Sequence, residues 1–300
     1  MRRTLLFIPG NQPGMLQNSA VLPADTLIFD LEDSVAAGEK DAARELVASA
    51  IRSLDFGPRE LAVRINDLET DQACDDLKAV VPAGVETVMV PKVSSANTIR
   101  KVSDMLDAIE AEYGIKKGRT GIIALIETAC GVEHAYEAAI ASSRVVAIAL
   151  GAEDLAADLG CARTEEGREI FYSRSRLVIA ARAAGIEALD TPFTDARDMA
   201  GCYKDARFAR SLGYGGKLCV SPHHLDAITR AFLPDEEEIE FALEVTRVMR
   251  RAGDEKRGAV SLRGKMIDLP VLLRAERTLE LAKSAGLLAR EIEEESSHGA

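Results

Sequence analysis

The chain has 300 residues, of which 47% are hydrophobic, so it is long enough for one large α/β domain or for two average ones. Its formal net charge of −12 disfavours nucleic acids and anionic membranes as partners, because the field of such a protein repels polyanions. Aromatic residues make up only 4% and tryptophan is absent, so the core must be built mainly from Ala, Val, Leu and Ile.

The cysteines and the amino terminus indicate the cellular compartment. The five cysteines are scattered and form no C-x-x-C pair, which is typical of reduced thiols and not of a disulfide framework or a zinc site. The apolar run in MRRTLLFIPG ends at Pro9-Gly10, which is too early for a signal peptide. No apolar stretch approaches the length of a membrane span. We therefore expect a cytoplasmic protein.

Eight short apolar runs follow one another along the chain, and each ends in polar residues or a turn. They are residues 4–10, 25–33, 60–66, 87–93, 121–128, 145–154, 185–192 and 216–222. Segments with apolar residues three and four apart lie between most of them, most clearly 39–54, 95–114 and 169–185. Strands that alternate with helices form parallel sheets, since parallel neighbours need crossover connections. Eight such units predict a closed (β/α)8 TIM barrel.

The competing architecture is an open doubly wound sheet. That fold usually carries a G-x-G-x-x-G turn after its first strand, and PGNQPG at residues 9–14 is not such a turn. After the eighth run, residues 235–252 and 269–295 have the pattern of two further helices, joined by a charged loop. We therefore predict a catalytic barrel domain at 1–232 and a C-terminal helical extension at 233–300.

Polar side chains cluster at the carboxyl ends of the predicted strands, which meet at one rim of a barrel and form its active site. They are Asp30, Glu32, Asp33, Arg64, Asn66, Lys92, Glu127, Glu153, Asp154 and Asp190. Carboxylates this crowded repel each other unless a positive charge is held nearby. Glu127 and Asp154 end the adjacent fifth and sixth strands, and two such carboxylates suit Mg2+. The alternative is that both only cap the helices that follow them.

Two basic side chains belong to the same rim. Arg64 can bind a substrate carboxylate with its guanidinium, or it can form salt bridges with Asp30, Glu32 or Asp33. Lys92 raises the alternative of a Schiff base with a ketone substrate. Neighbouring carboxylates raise the pKa of a lysine, however, and thereby favour ion pairing over an amine nucleophile.

Zinc is not indicated, because the four histidines show no pairing on one helix face. Near the carboxyl terminus, Asp268 precedes Leu269-Pro270 and a long amphipathic run. An Asp before a helix with an early proline is an ordinary N-cap signature. The residues alone therefore assign Asp268 a capping role.

Seven motifs, in chain order, resemble the HpcH/HpaI aldolase and citrate lyase beta-subunit superfamily. They are RRTLLFIPGN, LIFDLEDSV, LAVRIND, VPKV, IALIETACGV, LGAEDLAADLG and GKMIDLP. Within the superfamily, the chain is most similar to the citrate lyase beta-like and malyl-CoA/citramalyl-CoA lyase branch. The resemblance implies a TIM barrel with a C-terminal helical extension, usually assembled as a homotrimer or homohexamer.

The resemblance also implies how the rim is used. It assigns Mg2+, or Mn2+ in its place, to Glu127 and Asp154, and it makes Arg64 the binder of the oxo-acid or acyl carboxylate. Glu32 and Asp33 would support the waters of the metal and the basic residues around it.

In CoA-using members, the Asp of the MID segment reaches the active site of a neighbouring subunit. Asp268 matches that Asp, so the resemblance replaces the capping interpretation with a catalytic one. The phosphates of CoA need basic partners, and we name Arg2, Arg3 and Lys217 as candidates.

The implied reaction is the reversible carbon–carbon cleavage of a 3-hydroxyacyl-CoA such as malyl-CoA or citramalyl-CoA, giving acetyl-CoA plus glyoxylate or pyruvate. Three alternatives stay open: a class II pyruvate aldolase acting on free oxo acids, a citrate lyase beta-like subunit acting on an acyl carrier, and a non-catalytic barrel subunit. The chain departs from the common family pattern at SPHH, residues 221–224, and at Cys130. Both positions are candidates for the border of the acyl or carrier pocket, so the substrate is the open question.

Overall fold

The computed structural model of the protein describes residues 1–254 and 258–288. Eight parallel strands close into a barrel in chain order, with β8 paired to β1. They are β1 Thr4–Pro9, β2 Thr26–Asp30, β3 Glu60–Arg64, β4 Thr87–Val90, β5 Gly121–Ile126, β6 Val145–Leu150, β7 Glu187–Asp190 and β8 Gly216–Cys219. The predicted barrel is confirmed, and every predicted run contains its strand. The runs extend past the strands mainly at their carboxyl ends, where the rim residues begin.

Helices connect the strands along the chain. They are α1 Pro13–Ser19, α2 Lys40–Ser53, α3 Gln72–Ala83, α4 Ala96–Glu112, α5 Ala129–Glu133, α6 Ala135–Ala139, α7 Ala152–Asp158, α8 Phe171–Ala184, α9 Met199–Leu212 and α10 Leu225–Phe232, with 3-10 turns at Ala37–Glu39, Arg168–Ile170 and Pro222–His224. The three helices predicted most clearly are α2, α4 and α8. In α4, the Ser95 hydroxyl accepts the Thr98 N–H at the N-cap, and Ile99, Val102 and Leu106 form the buried face.

The inside of the barrel is packed with aliphatic side chains from the strands. Its core cluster comprises Leu5, Ile28, Ala62, Met89, Ile123, Leu125, Ala147, Ala149, Leu189 and Leu218. Side chains alternate between the two faces of a strand, so residues two apart share a face. Asp30, Arg64 and Glu127 each follow a core residue by two positions and therefore continue the inward face to the rim.

Cα distances divide the chain into two units, Met1–Thr229 and Arg230–Ala300. The second unit contains α11 Glu236–Asp254 and α12 Leu269–Ser284, as the helical pattern predicts. Their apolar faces share a core that includes Val245 and Leu279. The stretch of the predicted last helix beyond residue 288 lies outside the described residues. That this unit acts in a neighbouring subunit stays a prediction.

One element of the second unit differs from the sequence prediction. The charged loop between its helices contains a hairpin of β9 Val260–Leu262 and β10 Lys265–Ile267. The turn residues Arg263 and Gly264 have φ of 49° and 76°, and two consecutive positive φ values suit the right-handed twist of a two-residue hairpin. The hairpin was not predicted, because the charged residues around the Arg263-Gly264 pair have the composition of a loop.

Two further expectations concern the compartment. All five cysteines carry free thiols, in agreement with their spacing. Across residues 1–254 and 258–288, no helix combines the length and the apolar character that a membrane crossing requires.

Candidate active site at the barrel mouth

The carboxylates after β2 are organised by Asp30. Its Oδ1 accepts the Glu32 N–H and its Oδ2 accepts the Ser34 N–H, both at 3.0 Å, so the buried side chain folds the following turn around itself. Glu32 stays buried in that turn, while Asp33 reaches the surface. We use the name acidic mouth for Asp30, Glu32, Asp33, Arg64, Lys92, Glu127 and Asp154.

Arg64 lies among the three carboxylates of the β2 turn. Its Nε and Nη2 donate to the two oxygens of Asp30 at 2.7 and 2.8 Å. Its Nη1 donates to Asp33 at 3.0 Å and lies 3.3 Å from Glu32. The guanidinium carbon also stands 4.9 Å from the centre of the Phe7 ring. The salt bridges that the sequence offered as one alternative are therefore present, and the binding of a substrate carboxylate by Arg64 stays a prediction.

Glu127 and Asp30 are the least exposed carboxylates of the acidic mouth. Glu127 directly follows β5. It is only 2% exposed, and its Oε1 accepts the main-chain N–H of Lys92 at 2.7 Å. Burial raises the pKa of Glu127 to about 8, with repulsion from Asp154 and Glu32 in the same direction, although the Lys92 N–H and Arg64 oppose it. A carboxylate held in this way gains from a nearby cation that compensates its charge.

A glycine after β6 makes room for this carboxylate. A Cβ at Gly151 would stand 2.5 Å from Glu127 Oε2, closer than a real Cβ can approach, so only glycine fits beside Glu127. The Gly151 N–H donates to the Ile126 carbonyl at 2.9 Å and holds the β6 end against the β5 end. Sequence reasoning missed this function of the glycine in the LGAED motif.

The structure distinguishes the two acids that follow Gly151. Glu153 accepts a hydrogen bond from Arg163 Nε at 3.0 Å, away from the acidic mouth. Asp154 is exposed in the first turn of α7, and its charge acts on Glu127. The start of α7 is fixed by a bond from the Ala152 N–H to the Thr191 hydroxyl at 3.1 Å.

Lys92 brings the second cation to the acidic mouth. Its Nζ lies 3.3 Å from Glu32 Oε1 and 3.8 Å from Asp67 Oδ2. Ion pairing of Lys92, which the sequence analysis favoured over a Schiff base, is therefore present. Asp67 was not among the predicted rim residues, because it follows β3 by three positions in a turn.

The donor chemistry of Glu127 and Asp154 fits a magnesium ion. Among the residues that the structure describes, no group of three or more His, Cys, Asp or Glu side chains converges as a metal cage. Mg2+ does not need one, because it commonly takes one or two protein carboxylates and keeps water and substrate oxygens as its other ligands. The buried carboxyl of Glu127, whose ionisation burial disfavours and a nearby cation would favour, suits such an ion.

Two of the predicted rim residues, Asp190 and Asn66, form their hydrogen bonds with residues outside the acidic mouth. Asp190 follows the core residue Leu189 by one position and so faces outward, where Arg174 donates to it at 2.9 and 2.8 Å. Asn66 donates through its main chain and its side chain to Asp76 at 2.8 and 2.7 Å. The expectation that Asp190 lines the rim is wrong, because strand alternation turns it towards the helices.

The three candidate CoA contacts have acidic partners instead. Lys217 is fully buried, with its Nζ bonded to Asp190, Asp205 and the Thr191 carbonyl. Arg2 and Arg3 precede β1, at the amino-terminal end of the barrel, where they pair with carboxylates. Active sites of barrels lie at the opposite end. These contacts do not support a role for the three residues in CoA binding.

Asp268 lies in the second unit, at the start of α12. Its Oδ1 accepts the Val271 N–H at 3.3 Å, so the capping bond that the residues alone predict is present. The catalytic role that the resemblance implies concerns a neighbouring subunit and stays a prediction.

Fold and site together define a class: a (β/α)8-barrel protein with a cluster of carboxyl groups and two basic side chains at the carboxyl ends of its strands. Comparison with known proteins agrees. Residues 3–222 match the family described as HpcH/HpaI aldolase/citrate lyase. The chain belongs to this family, whose members are carbon–carbon lyases.

Three relatives show the extent of the similarity. The citrate lyase subunit beta of Leuconostoc mesenteroides subsp. cremoris is 40% identical over 97% of this chain and 96% of its own length. The L-malyl-CoA/beta-methylmalyl-CoA lyase of Rhodobacter capsulatus is 33% identical over 94% of this chain and 96% of its own. The crystal structure of CitE from Mycobacterium tuberculosis in complex with magnesium, acetoacetate and coenzyme A matches with a TM-score of 0.79 and 34% identity, over 94% of this chain and 98% of that one.

Proposed function

We propose that the protein is a Mg2+-dependent lyase that cleaves, or forms, a 3-hydroxyacyl-CoA such as malyl-CoA or citramalyl-CoA. The products of cleavage are acetyl-CoA and glyoxylate or pyruvate. The observation that carries the proposal is the Glu127 carboxyl group, which is buried, has a raised pKa and packs so closely against Gly151 that no Cβ fits between them. Glu127 and Asp154 would hold Mg2+, which when bound supplies a Lewis acid and a template for substrate oxygens.

The other residues of the acidic mouth would act on the substrate and on the charges around it. Asp30 holds Arg64 through its Nε and Nη2, so a substrate carboxylate or thioester oxygen would meet Arg64 at Nη1, with little loss of side-chain entropy. Its positive charge would offset the negative charge that develops on the thioester oxygen as the carbon–carbon bond breaks. Glu32 and Asp33 would orient water and keep Arg64 in place.

In cleavage, the substrate hydroxyl loses its proton as its oxygen becomes the oxo group, and a proton must reach the methylene carbon that becomes the methyl group of acetyl-CoA. The family resemblance assigns this step to Asp268 of a neighbouring subunit, acting as general acid in cleavage and as base in synthesis. This requires a homo-oligomer, a trimer or hexamer in our proposal. If Asp268 acts in this way, mixing Asp268→Asn and Glu127→Gln chains restores activity in hybrid oligomers. Absence of recovery, with subunit exchange demonstrated, leaves Asp268 only its capping bond.

A second candidate is the same cleavage on a thioester carried by an acyl carrier protein. The 40% identity to a citrate lyase subunit beta favours it, because that relative is by name one subunit of a larger enzyme. In either case we place the reaction in the cytoplasm, where the five free thiols stay reduced.

The test is a panel of thioesters with purified protein, with Mg2+ and with EDTA. The panel contains malyl-CoA, methylmalyl-CoA, citramalyl-CoA and citryl-CoA, with free 4-hydroxy-2-oxo acids alongside. We expect Mg2+-dependent release of acetyl-CoA from one thioester. Cleavage of free oxo acids alone would instead indicate an aldolase, and silence on all of them would favour the carrier-protein candidate or a non-catalytic subunit. Borohydride trapping of pyruvate on Lys92 would contradict the metal-dependent route.

A further inference from the structure

Lys92 has an unusual backbone conformation for its residue type. Its φ is 51°, in the left-handed region that disfavours side chains with a Cβ. In the described part of the chain, the other non-glycine residue with positive φ is Arg263, in a hairpin turn where such angles are expected. Strain of this kind persists only where the surroundings enforce it, and it is concentrated at functional sites.

The neighbours of Lys92 fix this conformation. Val90 is the last residue of β4, and the N–H of buried Val93 donates to the Leu125 carbonyl at 3.1 Å. The chain must therefore bulge at Pro91 and Lys92 between two fixed points. In the bulge, the Lys92 N–H points at Glu127 Oε1 and the side chain lies beside Glu32. One strained residue thus aims two groups into the acidic mouth.

The two cations of the acidic mouth differ in their availability to a ligand. The Arg64 side chain is 11% exposed and its donors face Asp30, Asp33 and Glu32. The Lys92 side chain is 45% exposed, and its two acidic neighbours are 3.3 and 3.8 Å away, so the ammonium retains room for another acceptor.

We propose that Lys92 binds the carboxylate of a 2-oxo acid at the acidic mouth, and that its left-handed backbone is retained because it combines this contact with the main-chain bond to Glu127. The inference rests on the proposed function for the identity of the acid, pyruvate or glyoxylate. A glycine would adopt the backbone without strain, but it would supply no ammonium.

The first experiment measures the binding of pyruvate and of glyoxylate by calorimetry in the presence of Mg2+. We expect Lys92→Met to weaken the binding by about tenfold to a hundredfold, as the loss of one hydrogen bond to a charged group implies. Lys92→Arg should recover part of it. The affinity for Mg2+ alone should change by no more than about threefold, because the main-chain N–H at position 92 of the variant still bonds Glu127. The matched control is Lys78→Met, at an exposed lysine of α3.

The second experiment measures the strain by thermal unfolding. Lys92→Gly and Lys92→Ala both remove the ammonium, but only glycine accepts a positive φ without cost. We expect Lys92→Gly to melt about 2 °C above Lys92→Ala, with both equally weak in binding pyruvate. In steady state, we expect the KM for the oxo acid in the synthetic direction to rise more than kcat falls, which a general loss of structure would not produce.

The outcomes separate this inference from the proposed function. Wild-type protein that cleaves a CoA thioester, together with a fully active Lys92→Met variant, overturns the inference alone. Lys92-dependent binding of pyruvate without any lyase activity overturns the proposed reaction and supports the inference. If wild-type protein binds neither oxo acid, or if Lys92→Met binds them as tightly as wild type does, the inference is wrong.

Discussion

The barrel contains two clusters of acidic and basic side chains, and they differ in the balance of their charges. The β7–β8 charge cluster consists of Arg174, Asp190, Asp205 and Lys217 and lies between the strands and α8 and α9. It has two cations and two carboxylates, and the three protons of the Lys217 ammonium meet three oxygens at 2.5 to 2.6 Å. Buried ions are tolerated when they are paired and fully hydrogen-bonded in this way.

The acidic mouth has five acidic side chains and two cations, and the pKa of Glu127 is raised to about 8. Arg64 and Lys92 do not offset this rise, so at neutral pH the Glu127 carboxyl mostly keeps its proton unless a further cation is bound beside it. The comparison teaches that an acid at the end of a strand is not by itself a sign of function. What distinguishes the acidic mouth is the imbalance between its acids and its bases.

The strongest test of this comparison is Glu127→Gln. If Glu127 holds the catalytic cation, kcat of the Mg2+-dependent reaction should fall by about 10³-fold, roughly 4 kcal/mol in activation free energy. Without Mg2+, the variant should be at least as stable as wild type, because it removes a buried acid whose raised pKa shows that burial disfavours its ionised form. Mg2+ at about 100 times its Kd should stabilise wild type by about 2.7 kcal/mol and the variant by much less.

The control for this test is Glu153→Gln. Glu153 lies next to Asp154 but pairs with Arg163 outside the acidic mouth. We expect it to keep both the activity and the Mg2+ effect on unfolding. Equal losses in the two variants, measured by steady-state kinetics and by calorimetry, would contradict the assignment of Glu127.

Which acids at the strand ends face the acidic mouth and which face the helices can largely be predicted from the sequence by strand alternation. Ile28 and Leu189 point into the barrel. Asp30 lies two residues after Ile28, so it also faces the interior. Asp190 lies one residue after Leu189, so it faces the helices. A prediction that considers only the position of acids at strand ends, and not the alternation of side chains, places both Asp30 and Asp190 at the rim. The barrel itself needs only the strand–helix repeat, which is why its eight strands could be predicted from local patterns.

Other features depend on contacts between distant segments and could not be predicted. The left-handed backbone of Lys92 arises from a bond between Val93 and Leu125, which lie far apart in the chain. The partners of Lys217 lie on β7 and α9, so the sequence alone could not distinguish a buried ion pair from a basic contact for CoA. The space for Glu127 beside Gly151 likewise appears only when β5 and β6 are side by side.

Two lysine variants, one in each cluster, test how much the charges of each cluster contribute to the stability of the fold. Lys217→Met leaves the buried Asp190 and the partly buried Asp205 with Arg174 alone, so we expect the free energy of unfolding to fall by about 3 kcal/mol or more. Lys92→Met removes a half-exposed ammonium from an acidic surface, and we expect a change below about 1 kcal/mol. Urea unfolding of both variants measures the two values. Similar losses would show that the two clusters do not differ in the way that their burial indicates.

The smallest expected effect concerns the acid stability of the β7–β8 charge cluster. Burial alone would raise the pKa of Asp205, but Lys217 and Arg174 outweigh it and lower the pKa from its ordinary value of 3.8. A carboxyl whose pKa is lowered in the folded state contributes stability above its unfolded pKa and loses it as the pH falls through the folded value. At pH 7 we therefore expect Asp205→Asn to be less stable than wild type by about 1 kcal/mol, and this difference should shrink steadily below pH 4.

Urea unfolding at pH 7, 5, 4 and 3 measures this convergence. The matched control is Asp41→Asn, whose carboxylate is 86% exposed beside Arg44 and should change stability little at any of these pH values. If Asp205→Asn and wild type lose stability in parallel down to pH 3, Asp205 is not held ionised by the two cations. The β7–β8 charge cluster would then owe its stability to packing and neutral hydrogen bonds, and its contrast with the acidic mouth would rest on burial alone.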